Sequence, residues 1–275
     1  LTFAIGAASH GSQRWISIGP FSLQPSELAK IGIILFLAAY ISSKSREMRQ
    51  WKKMVIPFLF AIPIIVIVGI ENLSTCIILL AISFIMIFVA TPLWVPFVVI
   101  GLIGVAGAGG LLLTQGYRME RITVWLDPAA SEKGHQTIQG LYAIGSGGLF
   151  GKGLGQSMQK LGFLPEANND MIFSVICEEL GLFGALCVLA LFFALIWRFM
   201  VIAVNAPDLY GSMIVVGVIA HIGIQVFINI AVATNTIPNT GIPLPFISYG
   251  GSSLVFMLLE MGLVLSVSRY INVKK

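Results

Sequence analysis

Charge is scarce in this sequence. Twelve acidic and 16 basic side chains among 275 residues leave 10% of the chain charged, where a soluble domain carries roughly 25%. With 57% hydrophobic residues and a mean hydropathy of +0.94, an ordinary soluble globule is excluded. Cysteine is scarcer still. Cys76, Cys177 and Cys187 lie in or beside apolar stretches with no CxxC spacing, which excludes a disulfide framework and a cysteine-built zinc site and predicts buried small hydrophobes. No basic tail points to a nucleic-acid partner. No charged n-region with a cleavage site marks a signal peptide, and because the chain opens on Leu1 rather than Met, a preceding N-terminal portion is expected.

What is present is apolar length. Runs of about 16 to 22 residues recur, enough to cross a hydrocarbon core of about 30 Å. They predict an all-α polytopic membrane protein with about seven transmembrane helices in this chain: Leu28–Ser42, Met54–Ile70, Thr75–Ala90, Leu93–Thr114, Leu180–Val204, Met213–Thr234 and Ser252–Ile271. Leu1–Ala8 is too short to span and reads as the tail of an earlier helix. Pro57, Pro63 and Pro96 fall inside spans, where kinks are expected. The whole chain, 1–275, reads as a single integral membrane domain with membrane lipids around it.

Orientation follows from Lys44, Arg46, Arg49, Lys52 and Lys53, which crowd one short connection and place it in the cytoplasm. Counting spans from there puts Arg198, Arg269, Lys274 and Lys275 inside as well. The segments Ser9–Glu27, 115–171 and Asn235–Gly251 fall outside, and they concentrate Gly, Pro, Trp and Asn. The loop 115–171 is long enough to carry short helices and function.

The sharpest external cluster runs from Gly162 through Glu166, Asn168, Asn169 and Asp170, with Glu178 and Glu179 following at a span entrance. Asp170 is either an N-cap or a general base, since a partly desolvated carboxylate can take a proton from a substrate hydroxyl. Glu178 and Glu179 read as interfacial. Glu27 and Lys30, three apart, share a helix face; Lys30 either snorkels or faces a cavity. Arg14, Arg118 and Arg121 are further cations able to hold an anionic substrate. The glycine-rich stretch Gly145–Gly155 lacks Walker A spacing; it reads as flexible or re-entrant backbone, or as backbone that approaches a substrate closely. His221, Gln225 and Asn229 form a polar stripe suited to interhelical hydrogen bonds. Thr240–Ser252 is a proline-framed loop that could line a site, and Glu260 needs an unnamed partner inside the last span.

These segments closely resemble the SEDS family of cell-wall polymerases, which contains RodA, FtsW and SpoVE. The resemblance rests on Arg14-Trp15-Ile16 with Gln24-Pro25-Ser26-Glu27 and Lys30; on Tyr117-Arg118 with Arg121-Ile122 and Leu126-Asp127-Pro128; on Ala143-Ile144-Gly145-Ser146-Gly147-Gly148; on Leu164-Pro165-Glu166 with Asp170; and on Pro243-Leu244-Pro245 with Ser248-Tyr249-Gly250-Gly251. Gly153-Leu154-Gly155-Gln156-Ser157 is more similar to the FtsW/SpoVE branch than to RodA. Two positions depart from the family pattern: Asn168 stands where a His is common, and Asn72 where an Asp is common.

The resemblance implies a bundle of about ten spans, with three of them expected before Leu1. It also implies a peptidoglycan glycosyltransferase in the bacterial cytoplasmic membrane, polymerising lipid II on the outer face with inversion, for division, shape or sporulation. Asp170 would be the base; Arg14, Lys30, Arg118 and Arg121, with a divalent cation such as Mg as the candidate cofactor, would steady the departing pyrophosphate. Glu27 and Glu166 would orient those cations, and Ser248 and Tyr249 would contact substrate. The implied partner is a class B penicillin-binding protein, a transpeptidase. A lipid II flippase or a non-catalytic scaffold of a cell-wall synthase are the alternatives. An outer-face polymerase has no nucleotide sugar at hand, so a lipid pyrophosphate donor fits the topology, and concentration of the motifs outside favours the enzyme over a flippase.

Overall fold

The computed structural model describes residues 7–9, 12–18, 21–92, 97–99, 101, 116–131 and 134–271, with side chains from Leu23 onward apart from those of 49 and 116–119. The architecture is all-α: α1 (Pro25–Ser43), α2 (Trp51–Glu71), α3 (Leu73–Ala90), α4 (Gly116–Leu126), α5 (His135–Gly147), α6 (Ile172–Val204), α7 (Leu209–Ala233) and α8 (Gly251–Arg269). Ahead of them, β1 (Ala7–Ser9), β2 (Ser12–Ile18) and β3 (Phe21–Leu23) form a small antiparallel ribbon in that order. Ala7 and Ala8 are therefore extended rather than the end of a helix, paired to β2 through the register Ala7 with Trp15; 1–6 lie outside the described residues.

Six described helices, α1, α2, α3, α6, α7 and α8, are long and apolar enough to cross a membrane, and the chain is a multi-pass membrane protein. They match six of the expected spans. The remaining one, Leu93–Thr114, falls outside the described residues except for 97–99 and 101. Pro57 and Pro63 lie inside α2, which runs on through both.

The chain divides into two compact units, one of Leu1–Phe97, Ile196–Ile224 and Gly250–Lys275, the other of Val98–Leu195 and Gln225–Tyr249. In the first, α1 starts on Pro25, whose missing N–H costs nothing at a helix's first turn. Asn72 caps α3 by accepting from the Thr75 N–H at 3.2 Å. The helix α3 packs on both α1 and α2. Gly217 of α7 lies so close to Ile34 that a Cβ there would sit 2.6 Å from its Cγ2; small residues give helices this approach in lipid, where packing rather than water exclusion holds them together. His221 of α7 meets Glu260 of α8, Nδ1 to each carboxylate oxygen at 2.9 Å, with both residues 1% exposed. Glu260 thereby has its partner.

In the second unit, α6 is interrupted at Gly181, whose φ of 67° and ψ of −166° are not helical. The expected start of this span at Leu180 coincides with the break. The glycine-rich stretch lies against that break. Gly148 and Leu149 carbonyls accept from Leu182 and Phe183 N–H, while Lys152 and Gly153 N–H donate to Glu178 and Glu179 carbonyls, all within 3.0 Å. Cys76 and Cys177 are buried as expected, but Cys187 is exposed, on a face of α6 that no other described residue covers.

Candidate active site

The segment 162–171 leads into α6 and carries Asp170, 7% exposed. Its main chain is held from two sides. Asn229 of α7 donates through Nδ2 to the Asp170 carbonyl at 2.8 Å and to the Ile242 carbonyl at 2.9 Å. From the 234–249 segment, the Ser248 hydroxyl donates to the Asn169 carbonyl at 2.6 Å and the Tyr249 N–H to the Asn168 carbonyl at 2.8 Å. The Ser248 oxygen in turn accepts from the Leu244 N–H at 2.6 Å. Three consecutive carbonyls are thus pinned, which fixes where the Asp170 side chain starts.

The side chain has its own support. Gln136, near the start of α5, donates through Nε2 to Asp170 Oδ1 at 3.3 Å. The Gln136 carbonyl oxygen accepts from Asn239 Nδ2 at 2.9 Å, and the Asn239 main-chain carbonyl accepts from Arg121 Nη1 at 3.2 Å. A line of contacts therefore runs from an exposed guanidinium to a buried carboxylate. Asp170 does not cap α6: among the described residues no hydrogen bond joins its carboxylate to an α6 N–H, and the Ser174 and Val175 N–H groups of the first turn go to the Met171 carbonyl.

Burial pushes the Asp170 carboxyl up to about 6 from an ordinary 3.8, because its charged form is desolvated. The negative Glu166 nearby acts in the same direction, while the main-chain N–H of Asp170, Gln136 and the positive Arg121 oppose the rise. Glu166 holds a left-handed backbone with φ 53° and accepts from Asn169 Nδ2. A carboxyl poised near 6 and otherwise hydrogen-bonded only lightly is ionised at neutral pH yet basic enough to receive a proton.

Of the four carboxylates expected at this entrance, two do other work. Glu178 is fully buried, accepting from Lys152 at 2.7 Å, the Ser157 hydroxyl at 2.5 Å and the Met158 and Gln159 N–H groups at 3.3 Å. Glu179 pairs with Lys160 at 2.5 Å. Both tie α6 to the 152–160 loop.

The other expected site residues belong to both units. Glu27 and Lys30 form an ion pair at 2.8 Å with side chains 9% and 2% exposed, in the first unit; Lys30 is paired inside rather than snorkelling. Arg121 and Glu166 stand with Asp170 in the second. Ser248 acts through the main chain of Asn169, and Tyr249, 81% exposed, presents its ring to the outside. Arg14 lies on β2 and Arg118 on α4, and their side chains lie outside the described ones. Among the described residues no three His, Cys, Asp or Glu side chains gather as a metal cage. A Mg ion here would have to lean on one or two carboxylates and the phosphates of its substrate.

Comparison with known proteins fits this geometry to a family. The model of the FtsW/RodA/SpoVE family, described as cell cycle protein, matches residues 1–273. The chain belongs to this family. It is 47% identical over 272 residues to stage V sporulation protein E of Bacillus subtilis (strain 168), covering 97% of this chain and 74% of that one. To the probable peptidoglycan glycosyltransferase FtsW of Geobacter sp. (strain M18) it is 37% identical over 268 residues, covering 96% and 73%. Among solved structures, a peptidoglycan synthase complex described for its coordination of polymerization and crosslinking superposes with a TM-score of 0.81 at 27% identity, over 99% of this chain and 78% of that one. The rod shape determining protein RodA of Thermus thermophilus gives 0.69 at 29%, over 98% and 73%. Higher identity to SpoVE and FtsW than to RodA places this family member on the FtsW/SpoVE side.

Two contributors to its site escaped the sequence reading. Gln136 and Asn239 are unremarkable amides in unremarkable surroundings, and nothing in a single sequence signals that they touch. Asn229 did carry a signal, as the outer member of the α7 polar stripe. Replacing Gln136 with Ala should raise the Asp170 carboxyl further by removing a donor to its charged form. The acid limb of the activity's pH profile is expected to move upward, which a profile of kcat/KM against pH would show. An unmoved limb would mean that Gln136 only packs.

Proposed function

We propose that this FtsW/SpoVE-type protein polymerises lipid II, with Asp170 as the base that takes the proton of the acceptor sugar hydroxyl as its oxygen attacks the donor's anomeric carbon. That the chain is a peptidoglycan glycosyltransferase rests on its family and on relatives bearing that name. The observation that supports the mechanism is the pinned, buried Asp170 with its carboxyl raised to about 6. One bond forms, oxygen to anomeric carbon; one breaks, anomeric carbon to the pyrophosphate oxygen. The electron pair leaves with the lipid pyrophosphate, and the proton stays on Asp170.

Such a displacement gains from preorganised positive charge at the leaving group. Arg121, and by the same reasoning Arg14, Arg118 and Lys30, are the cations proposed for that role, with Mg as a further candidate through its substrate's phosphates. The membrane supports the encounter as well, since two lipid-borne substrates confined to one plane lose less freedom on meeting. The basic connection between α1 and α2 favours a cytoplasmic position for it, hence an outer-face site in the cytoplasmic membrane. The resemblance to a synthase complex supports a penicillin-binding transpeptidase as partner, of class B in this reading.

The test is glycan-strand formation from purified lipid II by the full-length protein together with its transpeptidase partner. Polymer is the expected result. Absence of polymer, combined with transport of lipid II across vesicles carrying the protein, would replace the polymerase with a flippase.

A further inference from the structure

The stretch 148–163 shows the outside an unusual surface. Leu149, Phe150, Leu154 and Leu161 are 65%, 81%, 77% and 71% exposed, although exposed apolar groups gathered on a turn-rich loop call for a partner or a membrane. We infer that this loop is seated in the lipid of the bilayer, at the end of α6 that carries Asp170, with those side chains among acyl chains and headgroups.

Three observations converge on lipid rather than water. First, where the loop meets α6 its main chain is bonded within the protein: Gly151 N–H goes to the Gly147 carbonyl, Lys152 and Gly153 N–H go to α6 carbonyls, and Gly148 and Leu149 carbonyls accept from α6 N–H groups at the Gly181 break, at 2.8 to 3.0 Å. Irregular backbone enters a bilayer only when protein meets its hydrogen bonds. Second, its charges are cancelled, Lys152 by Glu178 at 2.7 Å and Lys160 by Glu179 at 2.5 Å. A loop that stays in water has no need of either economy.

Third, the apolar surface is continuous with a lipid-facing one. The residues bonded to Gly148 and Leu149 are Leu182 and Phe183, themselves 53% and 65% exposed on a membrane-spanning helix. The height agrees: from 182 to 204, α6 runs about 34 Å at about 1.5 Å per residue, close to a full hydrocarbon thickness of about 30 Å. The Gly181 break therefore falls at the hydrocarbon boundary, and the loop bonded there lies at the same level. Seated in this way it would fix the height of the Asp170 segment above the acyl chains, whatever reaction that segment supports.

The test uses the full-length protein in a cysteine-free background, reconstituted into phosphatidylethanolamine–phosphatidylglycerol vesicles, with spin labels placed singly through Phe150→Cys and Leu154→Cys. Phe183→Cys serves as the lipid-facing reference and Lys44→Cys as the water-facing one. Collision with oxygen relative to a water-soluble nickel chelate is expected to be severalfold higher at 150 and 154 than at 44, and to match 183. A ratio like that at 44 would overturn the inference. So would low collision with both reagents, which would show a protein surface covering the loop. Leu161→Cys supplies a third site if either labelled variant fails to fold.

Discussion

Replacing Asp170 with Asn should lower glycan polymerisation by about 10² to 10⁴-fold, the worth of a positioned general base, while lipid II binding is retained. The amide keeps the shape of the side chain and leaves untouched the three pinned carbonyls, whose partners are Asn229, Ser248 and Tyr249. Stability should not suffer either. A carboxyl raised to about 6 from 3.8 binds its proton more tightly folded than unfolded. Its favourable contribution is complete below about 3.8 and is lost as pH rises through 6. At neutral pH the wild type therefore carries a desolvated charge that the amide lacks, and the variant should melt no lower. For the same reason the wild-type rate should climb through pH 6 and level off above it, as the base ionises. Undiminished polymer from the variant at matched expression would falsify the assignment of Asp170.

Gly181→Ala should be a strongly damaging single methyl in the second unit. The position has φ 67°, and a Cβ would lie 2.4 Å from the Gly151 nitrogen and 2.6 Å from the Leu149 carbonyl oxygen. These neighbours are main chain tied by hydrogen bonds, so they cannot swing aside as a side-chain tip would. Left-handed strain and overpacking each cost roughly 1 to 3 kcal/mol, and together they should lower the folded yield in detergent sharply. Gly151→Ala carries the same defect from the other side, its Cβ meeting the Glu179 carbonyl oxygen at 2.2 Å. Gly155→Ala is the control, since its Cβ meets nothing within 4 Å and only the φ of 80° opposes it. Heating followed by size-exclusion recovery would rank the three; equal recovery of Gly181→Ala and wild type would mean that the loop is not wedged against the break.

How far each feature could be read from the chain depends on how local its cause is. Spans are local: a run such as Ile77–Val89 is apolar but for Ser83, and the hydrocarbon thickness sets its extent, so six of them coincide with helices. The α6 break was legible as a boundary because Glu178 and Glu179 interrupt the apolar run, though their charge alone did not reveal the ion pairs they make. What could not be read is pairwise and distant. Glu178 and Lys152 are both visible as charges, yet their union depends on a loop folding back, and Gln136 with Asn239 offers not even a charge. Ser248 illustrates a third case: a hydroxyl in a conspicuous loop suggests a substrate contact, and its bonds to the Leu244 and Asn169 main chain give it a positioning role that the sequence does not signal.

The pairing of Glu260 with His221 also bears on how the protein is made. A lone carboxylate in the middle of a helix is disfavoured by about 3 kcal/mol when the segment must partition from the translocon by itself, and α8 is the least buried kind of span, with 22% of its apolar window covered. If α7 is still beside the exit when α8 emerges, the imidazole can meet the acid before it reaches lipid, and the two should enter as one hairpin. A glycosylation reporter fused after α8 would then show efficient insertion behind α7 and weaker insertion when α8 follows an unrelated span or His221→Ala; equal insertion in every context would show that α8 needs no companion.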